Sequence, residues 1–420
     1  MAYRPGYAWL LLPLLAVLGA FFYAGGVFGR YFWGYLGLMH LWVLLFTLGF
    51  GIVIALFPAQ QKPAPESAIP EGVFWDSVLL LLGALAISAL FYDRYFLRGI
   101  DYLSVGVAKG RALLNQGGHE SSAFSVLGNF FLYSYLFPLI GAIIMWEERN
   151  SRVRLAIIGV ALLELVAVTY VMGGRTAILL TIVVCLGSVV VRGFLGKRHK
   201  PASLNYSKLL VLGAVSLVAF SVFFLFRSRA FGDGSSLSYY TNICGHLTSG
   251  TLLKCDFGVY SGPWSDLANY LHLTLLYGSH GTWLTEDIVQ SGISVGWITP
   301  QGLFAVFFER LGMEPPPAAF EGFWVPASAS LINDFGLAGM LCFAVAFGML
   351  TGVVAGYLRS GRINVAAYAL VFAISFWFLS FLIFPTNIPG FVLSVCLGVF
   401  LWGAQLVFTM MRALISERYP

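Results

Sequence analysis

The residues able to do chemistry gather in one polar stretch of a strongly apolar chain, positions 227–326. Arg227-Ser228-Arg229 opens it and Cys244 and Cys255 follow. Three of the six histidines (His246, His272 and His280) lie within it, with the acids Glu286 and Asp287 just behind them. Imidazole titrates near neutrality and can take the proton of a hydroxyl group. His280 is the candidate base, because Gly278 and Gly281 beside it would let a ligand approach closely. His272 sits in a smoother helical pattern that suits a structural role. With Tyr270 and Tyr277 it frames the base as a substrate-binding candidate. Asp334, in Asn333-Asp334-Phe335-Gly336, is an acid at the start of an apolar run, where a carboxylate normally has a partner. Orienting His280, pairing with Arg175 and capping a helix are all open to it.

Cations of matching chemistry lie on either side of that stretch. Gly173-Gly174-Arg175-Thr176 joins two apolar runs. Its glycines permit a tight reversal and set a guanidinium at a helix N-terminus, an arrangement that can grip phosphate bidentately. An arginine that only snorkels to the interface is the alternative. Arg227 and Arg229 are two apart and do not share a helix face, so one of them would point inward. Arg94 and Arg98 alternate with Asp93 and Asp101 at helical spacing. Together these cations suggest an anionic substrate. Cys244 and Cys255, with ten residues between them, would pair as a disulfide in an oxidising compartment. Cys185, Cys342 and Cys396 fall in apolar runs and read as buried small residues. No His or Cys pair has ligand spacing with further ligands nearby, so neither metal nor cofactor is expected.

The elements that must position these groups follow from hydropathy. A chain with 59% hydrophobic and 10% charged residues and a mean hydropathy of +0.84 is an all-α polytopic membrane protein. Its net charge of +5 comes from short loops beside apolar runs and does not point to nucleic acid. A helix needs about 20 apolar residues to cross a bilayer. Runs of that kind cover 7–24, 34–57, 73–92, 124–146, 153–172, 175–195, 208–226, 328–357, 363–384 and 389–411. The chain thus divides into a membrane domain at 1–226 with seven spans, a long loop at 227–327 and a membrane domain at 328–420 with three. Within the loop, 265–290 reads as a helix pair or as one helix broken at Gly278, and 295–311 as an interfacial or re-entrant segment rather than a span. The basic connection 192–208 belongs on the cytoplasmic side. Alternation then puts both termini there and turns 93–123, Arg175 and the long loop outward, toward the periplasm of a bacterial inner membrane.

Taken in order, Gly-Gly-Arg-Thr between two mid-chain spans, Tyr277-Gly278-Ser279-His280-Gly281 in a long outer loop, and Asn-Asp-Phe-Gly-Leu-Ala-Gly entering the next span resemble the oligosaccharide repeat-unit polymerases of the O-antigen (Wzy) type. The resemblance implies a lipid-linked glycosyltransferase of the C-type membrane fold, with about ten transmembrane helices. Such an enzyme moves a growing glycan from undecaprenyl pyrophosphate onto the sugar of a second lipid-linked unit, so both donor and acceptor are partners, and a polysaccharide chain-length regulator is a candidate third. The implied roles are metal-independent: arginines on the pyrophosphate and His280 as base. An O-antigen ligase, which delivers glycan to lipid A core, would use similar residues. A transporter for lipid-linked sugar would instead need charged residues buried mid-span and related halves, whereas Glu164 is the only clear intramembrane acid and the polar residues concentrate in one outer loop.

Overall fold

Long apolar runs have one way to satisfy their backbone in lipid, which is to close every hydrogen bond within a helix. The structure, a computed structural model, describes residues 7–56, 73–101, 113, 122–146, 149–172, 176–194, 244–245, 264–291, 297–299, 324–359 and 363–418. Among these residues all regular structure is helical. In chain order the helices are α1 (Leu12–Phe28), α2 (Trp33–Leu56), α3 (Val73–Tyr92), α4 (Ala123–Phe131), α5 (Leu136–Ile144), α6 (Ser151–Met172) and α7 (Thr176–Phe194). They continue with α8 (Ser265–Ser279), α9 (Gly281–Ser291), α10 (Ala327–Arg359), α11 (Ile363–Leu379) and α12 (Pro389–Arg418). Among the described residues six stretches are long and apolar enough to cross a membrane: α2, 74–97, 123–144, α6, α7 and 327–358. Shorter apolar helices cover Leu12–Phe28, Ala366–Leu379 and Pro389–Ala404. Nine of the ten expected runs therefore have a helix, and the remaining one, 208–226, lies outside the described residues.

Two groups of helices make the body. In the first, α2 and α10 pack backbone to backbone along Gly49, Gly348 and Gly352. A Cβ at Gly348 would strike the Phe46 carbonyl, and one at Gly352 would lie 3.0 Å from the Phe50 carbonyl. Small residues four apart are the usual means of close helix approach in lipid. Beside that seam Phe46 stacks on Trp377 of α11, with ring centroids 3.8 Å apart. The second group is α3, α4–α5, α6 and α7, and it joins the first where Gly187 of α7 meets the Val371 carbonyl of α11.

Two spans are broken rather than straight. Between α4 and α5 the chain tightens to three-residue hydrogen bonds, Leu136 to the Tyr133 carbonyl and Phe137 to the Ser134 carbonyl. Pro138 explains this, since it lacks the N–H that would bond the carbonyl four residues back and its ring crowds that carbonyl. In α10 the break is Gly336, at φ 70° and ψ 179°, a backbone region nearly closed to other residues.

Candidate functional site

Helices α8 and α9 lie on the ends of α1, α2 and α10, and their buried face decides what each histidine can do. His280 sits between the two helices and is 1% exposed. Its Nδ1 bonds the Tyr277 carbonyl at 2.6 Å, and its Nε2 accepts the Trp324 N–H at 2.8 Å. An imidazole that donates at Nδ1 and accepts at Nε2 is the neutral tautomer with both nitrogens engaged. Tyr277, Trp283 and Trp324 pack around the ring at about 6 Å between centroids. Gly278, expected to admit a ligand, faces open space, while Gly281 is needed because a Cβ there would press on Pro326. The chain itself, through Trp324 and Pro326, takes up the close approach expected of a substrate. Tyr270 is buried in the core of the same helix pair.

His272 is half-buried and held by Tyr23 of α1, whose hydroxyl lies 2.6 Å from Nδ1 and donates to the His272 carbonyl at 3.0 Å. A hydroxyl that gives its proton to the carbonyl must accept from Nδ1–H. Burial holds the His272 pKa below the ordinary imidazole value.

The acids beside them divide the same way. Glu286 accepts the N–H groups of Gly34 and Tyr35 at 2.8 and 3.4 Å. It thereby caps α2, a helix entered from apolar Phe32-Trp33, which offers no side-chain acceptor of its own. Asp287 stays partly exposed and within electrostatic reach of Arg30, which projects from the α1–α2 turn. Burial raises its pKa, with Arg30 opposing and Glu286 reinforcing the shift. Asp334 holds neither His280 nor a helix start. Its carboxylate accepts the N–H groups of Ile298 at 3.0 Å and Thr299 at 2.6 Å and the Asn333 side-chain amide at 2.8 Å. Thr386 donates to the Thr299 carbonyl from the other side. The Gly336 break lies two residues beyond Asp334 and turns this first part of α10 toward the 297–299 segment.

A second cluster forms where α3 ends in a single π-helical turn, Asp93–Leu97. Arg98 pairs with Asp93 at 3.0 Å, and Asp93 also accepts the hydroxyl of Ser122, the cap of α4. Arg94 is 9% exposed, with Nη2 3.3 Å from Met172 Sδ, and its charge reaches Tyr133 at the α4–α5 break. Met172 is the last residue of α6, so Arg94 ties the end of α3 to the end of α6. Arg175, Arg227, Arg229 and Cys255 lie outside the described residues. Cys244 is buried and disulfide-bonded. Among the described residues no group of three or more His, Cys, Asp or Glu could hold a metal ion.

Sequence reasoning found neither Tyr23 as the partner of His272 nor Arg30 beside Asp287. The missing cap on α2 was the signal that an outside carboxylate must come to it. Fold and site together define a membrane-embedded protein, helical throughout its described residues, with a folded cap of helices over one end of its bundle. No family model matches the chain, and neither a curated protein nor a solved structure is significantly similar to it.

Proposed function

We propose that the protein is a glycosyltransferase that polymerises undecaprenyl-pyrophosphate-linked oligosaccharide units at the outer face of a bacterial inner membrane. The observation that carries this reading is Arg94, a guanidinium nine-tenths buried at the end of a membrane span and set against Met172, the last residue of α6. Arg94 and Arg98, together at the end of α3, suit a pyrophosphate whose polyprenyl tail stays in lipid. In the reaction, the acceptor hydroxyl oxygen bonds to the anomeric carbon of the donor as the bond from that carbon to pyrophosphate oxygen breaks. The guanidinium groups stabilise the charge that collects on the departing pyrophosphate, and a base takes the hydroxyl proton. For His280 to be that base, its Nε2 would have to give up the Trp324 N–H. Asp287 lies on α9 of the same helix pair. It is partly exposed, of raised basicity and set near Arg30, and we assign it the role.

Protein purified in detergent and given only the lipid-linked repeat unit is expected to yield a ladder of polymer. Arg94→Ala should lower its rate by about 10²–10³-fold, the range for losing one donor to a developing anion. Transfer only after lipid A core is added would make the enzyme a ligase. A transporter is the second reading, favoured by the buried Glu164 beside a broken helix. Lipid-linked sugar changing leaflet without any glycan product would establish it in place of the enzyme.

A further inference from the structure

Glu164 lies near the middle of α6, eight residues from its outer end. It is 6% exposed, and among the described residues neither of its carboxylate oxygens has a hydrogen-bond partner. A Cβ at Gly83, midway along α3, would collide with that carboxylate and lie 3.0 Å from Ser134 Oγ. The glycine therefore leaves the space that the acid fills, and the α4–α5 break supplies the third wall. Ser134 Oγ is committed to the Leu79 carbonyl at 2.8 Å, and the Tyr135 hydroxyl to Thr181 Oγ1 at 2.9 Å.

Charge sets the state of this group. On α3, Asp76 is about 10 Å below Gly83 at 1.5 Å per residue and pairs with Arg149. Asp93 and Arg94 stand at the far end of that helix. From the break come the Tyr133 and Tyr135 phenols, and from α7 the Cys185 thiol, with Arg192 in its last turn. Among the described residues no cation pairs with the carboxylate. An isolated ion at mid-membrane is far more costly than a neutral acid, and among the described residues the few nearby oxygens are already engaged, too few to enclose a metal cation.

We infer that Glu164 is a mid-membrane proton site: a carboxylic acid, neutral in the resting protein, that exchanges its proton through the α4–α5 break. That break also carries Tyr133, which lies within reach of the charge of Arg94. The site does not depend on the glycan chemistry and stands or falls separately.

Dicyclohexylcarbodiimide tests it on the whole protein reconstituted in phosphatidylethanolamine–phosphatidylglycerol vesicles. The reagent takes the proton of an acid in apolar surroundings, bonds the carboxylate oxygen to its central carbon and rearranges to a stable N-acylurea. Peptide mapping by mass spectrometry should find the adduct on Glu164 at neutral pH. Above the midpoint, labelling should fall about tenfold per pH unit, as for one titrating proton. Glu164→Asp should keep an adduct at the same position and Glu164→Gln should lose it. Absence of an adduct on Glu164 at every pH would overturn the inference. So would protection by sodium chloride at constant pH, which would make the site a cation site.

Discussion

His280 has the side chain of a catalyst and the surroundings of a strut. Its type and its glycine neighbours are visible in the sequence; its burial is not, because the group that closes over Nε2 is Trp324, 44 positions away. The same distance hides the partners of His272, Glu286 and Asp334, each fixed by a residue at least 35 positions removed. Removing the His280 ring would orphan two buried backbone groups, at about 1–3 kcal/mol each. Activity lost in such a variant therefore reports the fold unless its stability is measured with it. Asp287 separates the two effects. Its folded pKa lies above the ordinary value, so the folded state carries a penalty at neutral pH. That penalty disappears as pH falls through the folded pKa and on below the unfolded one. Asp287→Asn removes the charge, so the variant should melt higher than the parent at pH 7, and the gap should close toward pH 3. Polymer formation should be lost in the variant at both. A side chain whose replacement stabilises the protein and stops it working is held in place for function. Equal melting temperatures at pH 7 would show that the carboxylate carries no such penalty.

At the scale of elements, hydropathy was a good guide because lipid demands length and apolarity. The expected 73–92, 153–172 and 175–195 meet helices at Val73–Tyr92, Ser151–Met172 and Thr176–Phe194. The helix pair expected over 265–290 is α8 and α9, turning at His280 rather than at Gly278. The break inside 124–146 was missed, although Pro138 was the signal for it, because hydropathy averages across a kink. The α2–α10 seam was equally hidden, since glycines spaced by four mean little until the facing helix is known. That seam makes a sharp prediction. Gly348→Ala should destabilise the protein by about 1–3 kcal/mol through overpacking, read as a lowered melting temperature in detergent. Gly19→Ala, with open space around it, should leave the melting temperature unchanged or raise it through better helix propensity. If both variants melt like the parent, α2 and α10 are not in backbone contact.

For the whole molecule, side-chain contacts sort the helix ends into two faces without any membrane present. Tyr23–His272 and Glu286–Gly34 place α8 and α9 with the α1–α2 turn. Arg94–Met172 places the end of α3 with the end of α6. Asp334 and Thr386 bind the 297–299 segment to the start of α10 and to the α11–α12 turn. Asp76–Arg149 joins the opposite ends, the start of α3 and the entry to α6. Every one of these pairs agrees with the alternation that basic loops imply, and charge and packing reach that agreement independently. Which face is outside is then a matter for labelling. Cysteines introduced one at a time at Trp264, 76% exposed at the start of α8, and at Arg152, exposed at the start of α6, should differ in intact inner-membrane spheroplasts. A membrane-impermeant maleimide should reach Trp264→Cys directly and Arg152→Cys only after permeabilisation. The reverse pattern would put Arg94, Asp287 and the helix cap in the cytoplasm, where an outward-facing polymerase cannot work and where the Cys244 disulfide would not persist.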